Sequence, residues 1–265
     1  MPLHCDGLHS WPFPSIPFHA TIFVSLPWCP MNRILCSALL FDMDGVLVDS
    51  TAAVARAWTA WANQKGMDPE FVIKAAHGRT SFASVQALLP QASDAVHRRE
   101  NSWLEQAELA DVTDIVALPG ARELLSAIPA SQFAVVTSAI RELAEVRLRA
   151  AGLLEFTRYL VSASDIQRSK PDPEPYVKGA TALGLSPAQC IVVEDAPNGV
   201  RSGKAAGCRV LAIRTTTNDA ELRAEGAEWI VNDCASIHLA APPSRSELAL
   251  ELADDSANLR IPQMS

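Results

Sequence analysis

The sequence lacks the marks of a nucleic-acid-binding or membrane protein. Basic residues are in the minority, because 22 Lys and Arg stand against 30 Asp and Glu and give a net charge of −8. No block of Lys or Arg supplies the basic face of a nucleic-acid binder, so we expect no nucleic-acid partner. No apolar run reaches the roughly 18 residues of a membrane span, so we expect no membrane partner either. If this acidic protein is an enzyme with an anionic substrate, a metal ion or a few well-placed basic side chains must supply the positive charge at its site.

Paired cysteine motifs are also missing. None of the six cysteines forms a C-x-x-C pair or lies with His at zinc-finger spacing. Cysteines scattered over apolar segments usually behave as small buried hydrophobic residues. We therefore expect a reducing, cytoplasmic environment, and we expect a monomer.

The two ends of the chain lack the regular pattern of its middle. Residues 1–32 are rich in Pro, Trp, Phe and His and hold no Lys or Arg. A secretory signal needs a basic start and an uninterrupted apolar stretch, which the prolines here break. We interpret 1–32 as a disordered extension or a start-site artefact, with Met31 as a second possible start and a targeting or docking segment as the alternative. The polar stretch 241–265 is interpreted as a C-terminal tail.

Short apolar segments alternate with helical patterns in the rest of the chain. The predicted strands are 34–41, 132–137, 159–161, 190–193, 209–213 and 229–231. The predicted helices between them are 121–127, 141–150, 175–183 and 200–206. Apolar strands of this kind are buried on both faces, and their alternation with helices predicts a parallel sheet. We predict an α/β fold with a doubly wound, Rossmann-like parallel sheet.

One interval breaks this alternation. Residues 51–117 show helical segments and no convincing strand, with Trp58 and Trp61 on one apolar helix face. Their spacing favours packing in a small core over a sugar-stacking role. We therefore predict a small all-helical cap at 51–117, inserted into an α/β core made of 33–50 and 118–240.

Two aspartates end the first predicted strand. Asp42 and Asp44 are two residues apart, so both side chains can face one site if the chain turns after them, as Gly45 permits. Ligands of open α/β sheets bind at the carboxyl ends of the strands. Asp42 could then attack phosphorus, and Asp44 could transfer protons. An aspartate at a strand end taken alone is more often a turn former.

A second acidic pair, Glu194 and Asp195, follows the strand at 190–193. Four carboxylates that converge on one site cannot all ionise without cost, because like charges disfavour each other. A divalent cation resolves this conflict, and a set of hard oxygen ligands indicates Mg²⁺. Taken alone, the pair would be read as acidic residues at the start of a helix.

Two further polar groups follow strands or lie near them. Thr137 and Ser138 precede a helix, where a hydroxyl and backbone N–H groups can bind phosphate. Lys170 stands before Pro171, which restricts the lysine backbone, and its ammonium can offset negative charge. Separately, the hydroxyl pair would be a helix cap and the lysine a solvated charge. The four groups follow one another as acid pair, hydroxyl pair, lysine and acid pair. Because all four occur together in this order, we favour a shared functional site over four separate structural roles.

In this order, the four groups resemble the four motifs of the haloacid dehalogenase-like hydrolase superfamily. The resemblance spans about 35–231, and its first motif and the stretch 192–200 are the most specific parts. The helical insertion is similar to the family's small cap. The resemblance implies that Asp42 is the nucleophile and Asp44 the general acid/base. It also implies that Thr137 or Ser138 binds the phosphoryl group, whose charge Lys170 stabilises.

The resemblance also implies a metal site. Its ligands would be Asp42, the backbone carbonyl of Asp44, and Asp195, with Glu194 binding directly or through a water. The expected cofactor is Mg²⁺.

Further features of the sequence indicate which members of the superfamily it resembles most. Dehalogenases and phosphonatases of the superfamily lack the second aspartate, which Asp44 supplies here. The segments 76–80 and 170–180 are similar to bacterial sugar phosphatases and to fungal glycerol-3-phosphate and 2-deoxyglucose-6-phosphate phosphatases. We therefore expect a Mg²⁺-dependent phosphatase acting on a small sugar or polyol phosphate. A β-phosphoglucomutase-type mutase is the runner-up, and a non-catalytic binding protein on this fold is the alternative from another class.

Substrate choice is expected to depend on the cap. His77 and Arg79 flank Gly78 in a predicted cap loop, and they are the candidate substrate-binding residues there. A plain surface loop is an almost equal alternative. The sequence does not name the substrate, because discrimination among leaving groups depends on the geometry of a few cap residues.

Overall fold

A computed structural model of the protein describes residues 33–242 and 244–253. The predicted extension 1–32 and the last part of the predicted tail, 254–265, lie outside these ranges. Within them, six parallel strands form the main sheet in the order β6-β5-β2-β7-β8-β9. These strands are β2 (Ala38–Phe41), β5 (Phe133–Val136), β6 (Leu160–Val161), β7 (Cys190–Glu194), β8 (Arg209–Ile213) and β9 (Trp229–Val231).

The central strands are buried on both faces, as their continuous apolar runs predict. Alternate residues of β2 point to opposite sides, so Leu39 and Phe41 belong to one hydrophobic cluster and Leu40 to the other. Strand β2 pairs with β5 on one side and with β7 on the other, with Phe41 beside Val135 and Val193. The ends of these three strands therefore come together at one edge of the sheet.

Helices cover both faces of this sheet. On one face lie α5 (Ala121–Ala127) and α6 (Arg141–Ala150), and on the other lie α7 (Glu174–Ala182), α8 (Pro197–Ala205) and α9 (Asp219–Ala224). Glycines follow several of these helices closely, as at Gly152, Gly184 and Gly207. The α/β fold with a doubly wound parallel sheet is confirmed.

The interval predicted to be helical folds into α1 (Thr51–Lys65), α2 (Pro69–Ala76), α3 (Ser81–Leu88) and α4 (Asp94–Ala110). These helices share a hydrophobic cluster of their own, in which Trp61 is fully buried and Trp58 nearly so. Two short antiparallel strands, β3 (Val48–Asp49) and β4 (Val116–Ala117), place the entry to the insertion beside its exit.

The structure corrects the prediction for the C-terminal stretch. Strand β11 (Leu248–Leu252) pairs with β1 (Ile34–Cys36) and β10 (Ile237–Ala240) in an antiparallel sheet, so the tail interpretation is wrong for this segment. Polar residues on both sides of this short strand hide its apolar pattern in the sequence. Its partner β1 lies about two hundred residues earlier in the chain. Strand β1 is also separate from β2, since the predicted strand at 34–41 breaks at Ser37.

Two predictions from composition can be compared with the described residues. Cys36, Cys190, Cys208 and Cys234 are buried and form no disulfide, as expected for small apolar residues. Within 33–242 and 244–253, no helix has both the length and the hydrophobicity required to cross a bilayer.

Candidate active site

A cavity of about 200 Å³ lies at the carboxyl ends of β2, β5 and β7. Side chains from the sheet line one side of it, and side chains from α1, α4 and the loop between α2 and α3 line the other. All of the predicted site residues line this cavity: Asp42, Asp44, His77, Arg79, Thr137, Ser138, Lys170, Glu194 and Asp195. Residues up to about 150 positions apart in the sequence are thus brought to one site.

Lys170 is the buried cation of the site. Its ammonium donates to Asp42 Oδ1 at 2.7 Å, to Glu194 Oε1 at 2.8 Å and to the Val136 carbonyl at 3.1 Å. It also lies 4.9 Å from the ring centre of Tyr176, within cation–π range. Burial by itself lowers the pKa of Lys170, but the carboxylates of Asp42 and Glu194 more than offset this and raise it. Lys170 is therefore held as a fixed positive charge.

Glu194 is fully engaged by donors from the protein. One carboxylate oxygen accepts from Lys170 and from the Tyr176 hydroxyl, and the other accepts from the backbone N–H groups of Asp195 and Ala196 at 2.9 and 3.1 Å. A Cβ atom at Gly199 would lie 1.6 Å from Glu194 Oε1, so only glycine leaves room for this carboxylate. Glu194 thus orients Lys170 while both of its own oxygens are held in place.

Asp42 and Asp195 complete an acidic cluster. One oxygen each from Asp42, Glu194 and Asp195 lie within 4.8 Å of one another. Burial and then Glu194 raise the pKa of Asp195 well above its ordinary value. Burial also raises the pKa of Asp42, in spite of Lys170. One ammonium does not neutralise three buried carboxylates, so the cluster has the charge and the hard oxygen ligands that suit a divalent cation.

The turn after β2 positions Asp44. Gly45 adopts φ +81°, and a Cβ there would lie 2.1 Å from Asp195 Oδ2, so this turn requires glycine. Asp44 Oδ1 accepts from the Ser50 hydroxyl, and Asp44 Oδ2 accepts from Arg147 Nη1 at 3.0 Å. Both oxygens of Asp44 are held by donors on the cavity wall, which fixes the direction of this carboxyl group.

The hydroxyl pair follows β5. Thr137 is buried, and its Oγ1 accepts from the backbone N–H of Ala139 at 3.1 Å. Ser138 is partly exposed and also lines the cavity. Neither residue caps α6, whose N-cap is Ile140. The alternative interpretation as a helix cap therefore does not account for these hydroxyls.

The predicted cap loop faces the sheet. His77 Nε2 lies 4.0 Å from Asp195 Oδ2, and a Cβ at Gly78 would come within 2.9 Å of Ala196 Cβ. Burial lowers the pKa of His77, with Glu194 opposing this effect. Arg79 is exposed at the cavity wall, and Thr80 caps α3 through its hydroxyl. The loop therefore forms part of the wall opposite the acidic cluster.

Several residues in the site carried no usable sequence signal. Arg147 reaches Asp44 from α6 and Glu108 reaches Arg147 from α4, while Tyr176 and Thr216 hold Glu194 and Asp195. Each lies in the middle of a helix or in a loop, where its type is ordinary. Only the fold brings these residues next to the predicted motifs.

Comparison with known proteins identifies the family. The family model described as haloacid dehalogenase-like hydrolase matches residues 36–207, which contain β2, β5, β7 and the acidic cluster. The chain belongs to the haloacid dehalogenase-like hydrolases. It is therefore a hydrolase, and the resemblance inferred from its four motifs is confirmed.

Individual relatives of this hydrolase are similar over most of its length. Hexitol phosphatase A of Escherichia coli (strain K12) is 42% identical over 189 residues, 71% of this chain and 87% of that protein. Glycerol-1-phosphate phosphohydrolase 2 of Saccharomyces cerevisiae is 31% identical over 230 residues, 83% of this chain and 91% of that protein. The β-phosphoglucomutase of Clostridium difficile superposes with a TM-score of 0.66 at 22% identity, over 75% of this chain and 92% of that one. At that identity, the mutase shows a shared fold only.

Proposed function

We propose that this hydrolase removes phosphate from a small sugar or polyol phosphate through a phospho-aspartate at Asp42, with Mg²⁺ as its cofactor. The observation that carries the proposal is the contact of Lys170 with both Asp42 and Glu194. It places a candidate nucleophile, Asp42, beside a fixed positive charge. Asp195 lies next to them and completes a carboxylate cluster that could hold a metal ion. The two curated relatives named above are phosphatases of polyol phosphates, which supports this substrate class.

In the first step, a carboxylate oxygen of Asp42 attacks phosphorus and the bond from phosphorus to the leaving oxygen breaks. Lys170 stabilises the negative charge on the phosphoryl oxygens, and Thr137 and Ser138 donate hydrogen bonds to them. Asp44, protonated, gives its proton to the leaving alcohol. Splitting one hard displacement into two easier ones is the advantage of a covalent intermediate.

In the second step, water attacks the phosphorus of the aspartyl phosphate and the bond to Asp42 breaks. Asp44 now takes the proton from the water, which returns it to its starting state and releases inorganic phosphate. Asp42, Asp195 and the Asp44 carbonyl would hold Mg²⁺, with Glu194 acting through a water or through Lys170. When bound, the ion would offset the charge between Asp42 and the phosphate.

A mutase on the same fold is the second candidate. It would transfer the phosphoryl group back to a sugar instead of to water. The phosphatase is favoured because the relative at 42% identity is named as a phosphatase, whereas the mutase neighbour is only 22% identical. The contact between Lys170 and Asp42 and the raised pKa of Asp42 disfavour a non-catalytic binding protein, since perturbed pKa values cluster at catalytic sites.

A substrate panel tests the proposal. Phosphate release is measured for p-nitrophenyl phosphate, glycolate phosphate and a set of sugar and polyol phosphates, with Mg²⁺ and after chelation. We expect Mg²⁺-dependent release that is fastest with a sugar or polyol phosphate. Conversion of a sugar 1-phosphate to its 6-phosphate without release would indicate the mutase, and no turnover of any ester would refute the proposal.

A further inference from the structure

The loop that follows β8 lies beside the acidic cluster. Strand β8 is the parallel neighbour of β7, and its Ala212 is paired with Glu194 at the end of β7. Because parallel strands end at the same edge of a sheet, the chain that leaves β8 passes next to Asp195. Three consecutive threonines, 215–217, are thereby brought to the edge that carries the candidate metal site.

The second of these threonines contacts the carboxylate of Asp195. The Thr216 hydroxyl donates to Asp195 Oδ2 and lies 3.3 Å from the Asp195 carbonyl oxygen. Asp195 is 1% exposed, whereas Thr216 is an exposed residue that lines the cavity. In the described part of the chain, the Asp195 side chain accepts a hydrogen bond from Thr216 alone. A loop residue outside the four motifs therefore sets the direction of this carboxylate.

The same loop is attached to the turn after β2. The Thr215 hydroxyl donates to the carbonyl of Gly45, the residue after Asp44, whose own carbonyl is a candidate metal ligand. The turn and Asp195 also touch each other, since a Cβ at Gly45 would lie 2.1 Å from Asp195 Oδ2 and 3.2 Å from Oδ1. One loop thus holds both of the segments that would bind the ion.

The two carboxylate oxygens of Asp195 consequently have different surroundings. Oδ2 accepts from Thr216 and packs against Gly45. Oδ1 accepts no hydrogen bond from the residues that the structure describes, so it is the oxygen left to bind a cation. Carboxylates that bind a metal ion are commonly oriented by a hydrogen bond of their own, and loss of that partner weakens metal binding.

We propose that Thr216 is a positioning residue for the metal ion. Its hydroxyl holds Asp195 Oδ2, which directs Oδ1 towards the ion, and the contact of Thr215 with Gly45 keeps the loop in place. Thr216 itself does not bind the ion. The inference rests on the proposed function, because Mg²⁺ at the acidic cluster is part of that function.

Substitutions in the loop separate the hydroxyl from the rest of the side chain. Thr216→Val keeps the shape and removes the hydroxyl, and Thr216→Ser keeps the hydroxyl. Thr217→Val is the matched control, because Thr217 belongs to the same loop but not to the cavity wall. The Kd for Mg²⁺ is measured by isothermal titration calorimetry on the full chain without substrate, so turnover does not enter the result. Thermal melting of each metal-free variant is recorded alongside.

We expect Thr216→Val to raise the Kd for Mg²⁺ about tenfold or more, the usual effect of losing a hydrogen bond to a metal-binding carboxylate. Thr216→Ser and Thr217→Val should stay within about twofold of the wild type. A purely structural role would lower the Tm of the metal-free protein and leave the Kd unchanged. A Kd of Thr216→Val within about twofold of the wild type would therefore overturn the inference, and so would an equal rise in Thr216→Ser.

Two further results keep the inference apart from the proposed function. If Thr216→Val does not fold, Thr216→Ala, which also lacks the hydroxyl, must show the same rise in Kd. If the wild type binds Mg²⁺ and the variants without the hydroxyl bind it equally well, the role of Thr216 is refuted and the proposed function stands. If the wild type binds no Mg²⁺, the proposed cofactor and the role of Thr216 are refuted together.

Discussion

The two sides of the cavity differ in how they are built. On the phosphate side, the side chains are buried and held by short hydrogen bonds: Asp42, Lys170, Glu194 and Asp195. The three carboxylates come from the ends of neighbouring strands, and Lys170 comes from the loop before α7. The leaving-group side combines an exposed loop with residues from two helices: His77, Arg79, Glu108 and Arg147. In the proposed mechanism, the first side contacts the phosphoryl group, and the second side would contact the alcohol of the substrate.

In the proposed mechanism, chemistry at the phosphate and recognition of the alcohol would therefore belong to separate elements. Parallel strands fix their carboxyl ends to within a residue, because the backbone ladder sets their register. Loops and helix faces can change residue without disturbing that ladder. We therefore expect substitutions on the phosphate side to affect all substrates alike and substitutions on the leaving-group side to affect them unequally.

A large effect is expected at Asp44, which lies between the two sides. Asp44→Asn keeps the shape of the side chain and removes its proton transfer. We expect kcat to fall roughly 10²–10⁴-fold, the usual contribution of general acid–base catalysis. The loss should be greatest for alkyl phosphates, whose alcohols leave poorly, and smaller for p-nitrophenyl phosphate. Equal rates of variant and wild type on an alkyl phosphate would contradict the assigned role.

A smaller and selective effect is expected at the cap loop. Arg79→Ala should lower kcat/KM for the best polyol phosphate of the panel about tenfold, because a charged donor to the substrate is lost. The same variant should change p-nitrophenyl phosphate turnover much less. Lys74→Ala, at an exposed position of α2, is the control. Equal losses on both substrates would place Arg79 at the phosphate, and no loss would exclude the loop from recognition.

The smallest effect concerns stability and pH. In the metal-free protein, burial raises the pKa of Asp42 to about 7, so the folded state binds more protons than the unfolded state above pH ~4. The stability of the metal-free protein should therefore fall as the pH rises from ~4 towards 7. Mg²⁺ bound at the cluster would offset this cost, so its stabilising effect should grow over the same range.

Thermal melting measures this linkage. At a fixed concentration of about 100 times its Kd at pH 8, Mg²⁺ should raise Tm by roughly 5–10 °C at pH 8. The same concentration should raise Tm by less at pH 5.5, where protons compete with the ion for the carboxylates. Asp195→Asn should remove most of the shift, and Asp94→Asn, exposed on α4, should keep it. A shift that is the same at both pH values, or that persists in Asp195→Asn, would show that Mg²⁺ binds elsewhere.

Much of the fold could be predicted from local pattern. The strands 209–213 and 229–231 and the helices 121–127 and 141–150 have the predicted bounds, because their apolar periods and stop signals are local. Strand β11 was missed because its partner β1 is remote in the sequence. The predicted site residues all line one cavity. Strand ends were the signal for the acidic and hydroxyl pairs, whereas Lys170, His77 and Arg79 lie in loops and were singled out by their sequence motifs. Arg147 and Glu108 could not be found, since the packing of α6 against α4 decides their contact.

The most direct test of the proposed chemistry is to look for the phosphorylated aspartate. The protein is mixed with excess ³²P-labelled polyol phosphate and Mg²⁺, quenched in acid within one turnover, and mapped by peptide mass spectrometry. We expect the label to appear on Asp42 before the release of free phosphate reaches its steady rate. Asp42→Asn should carry no label and show no turnover. Normal turnover by Asp42→Asn, or label on a different residue, would contradict the assignment of Asp42 as the nucleophile.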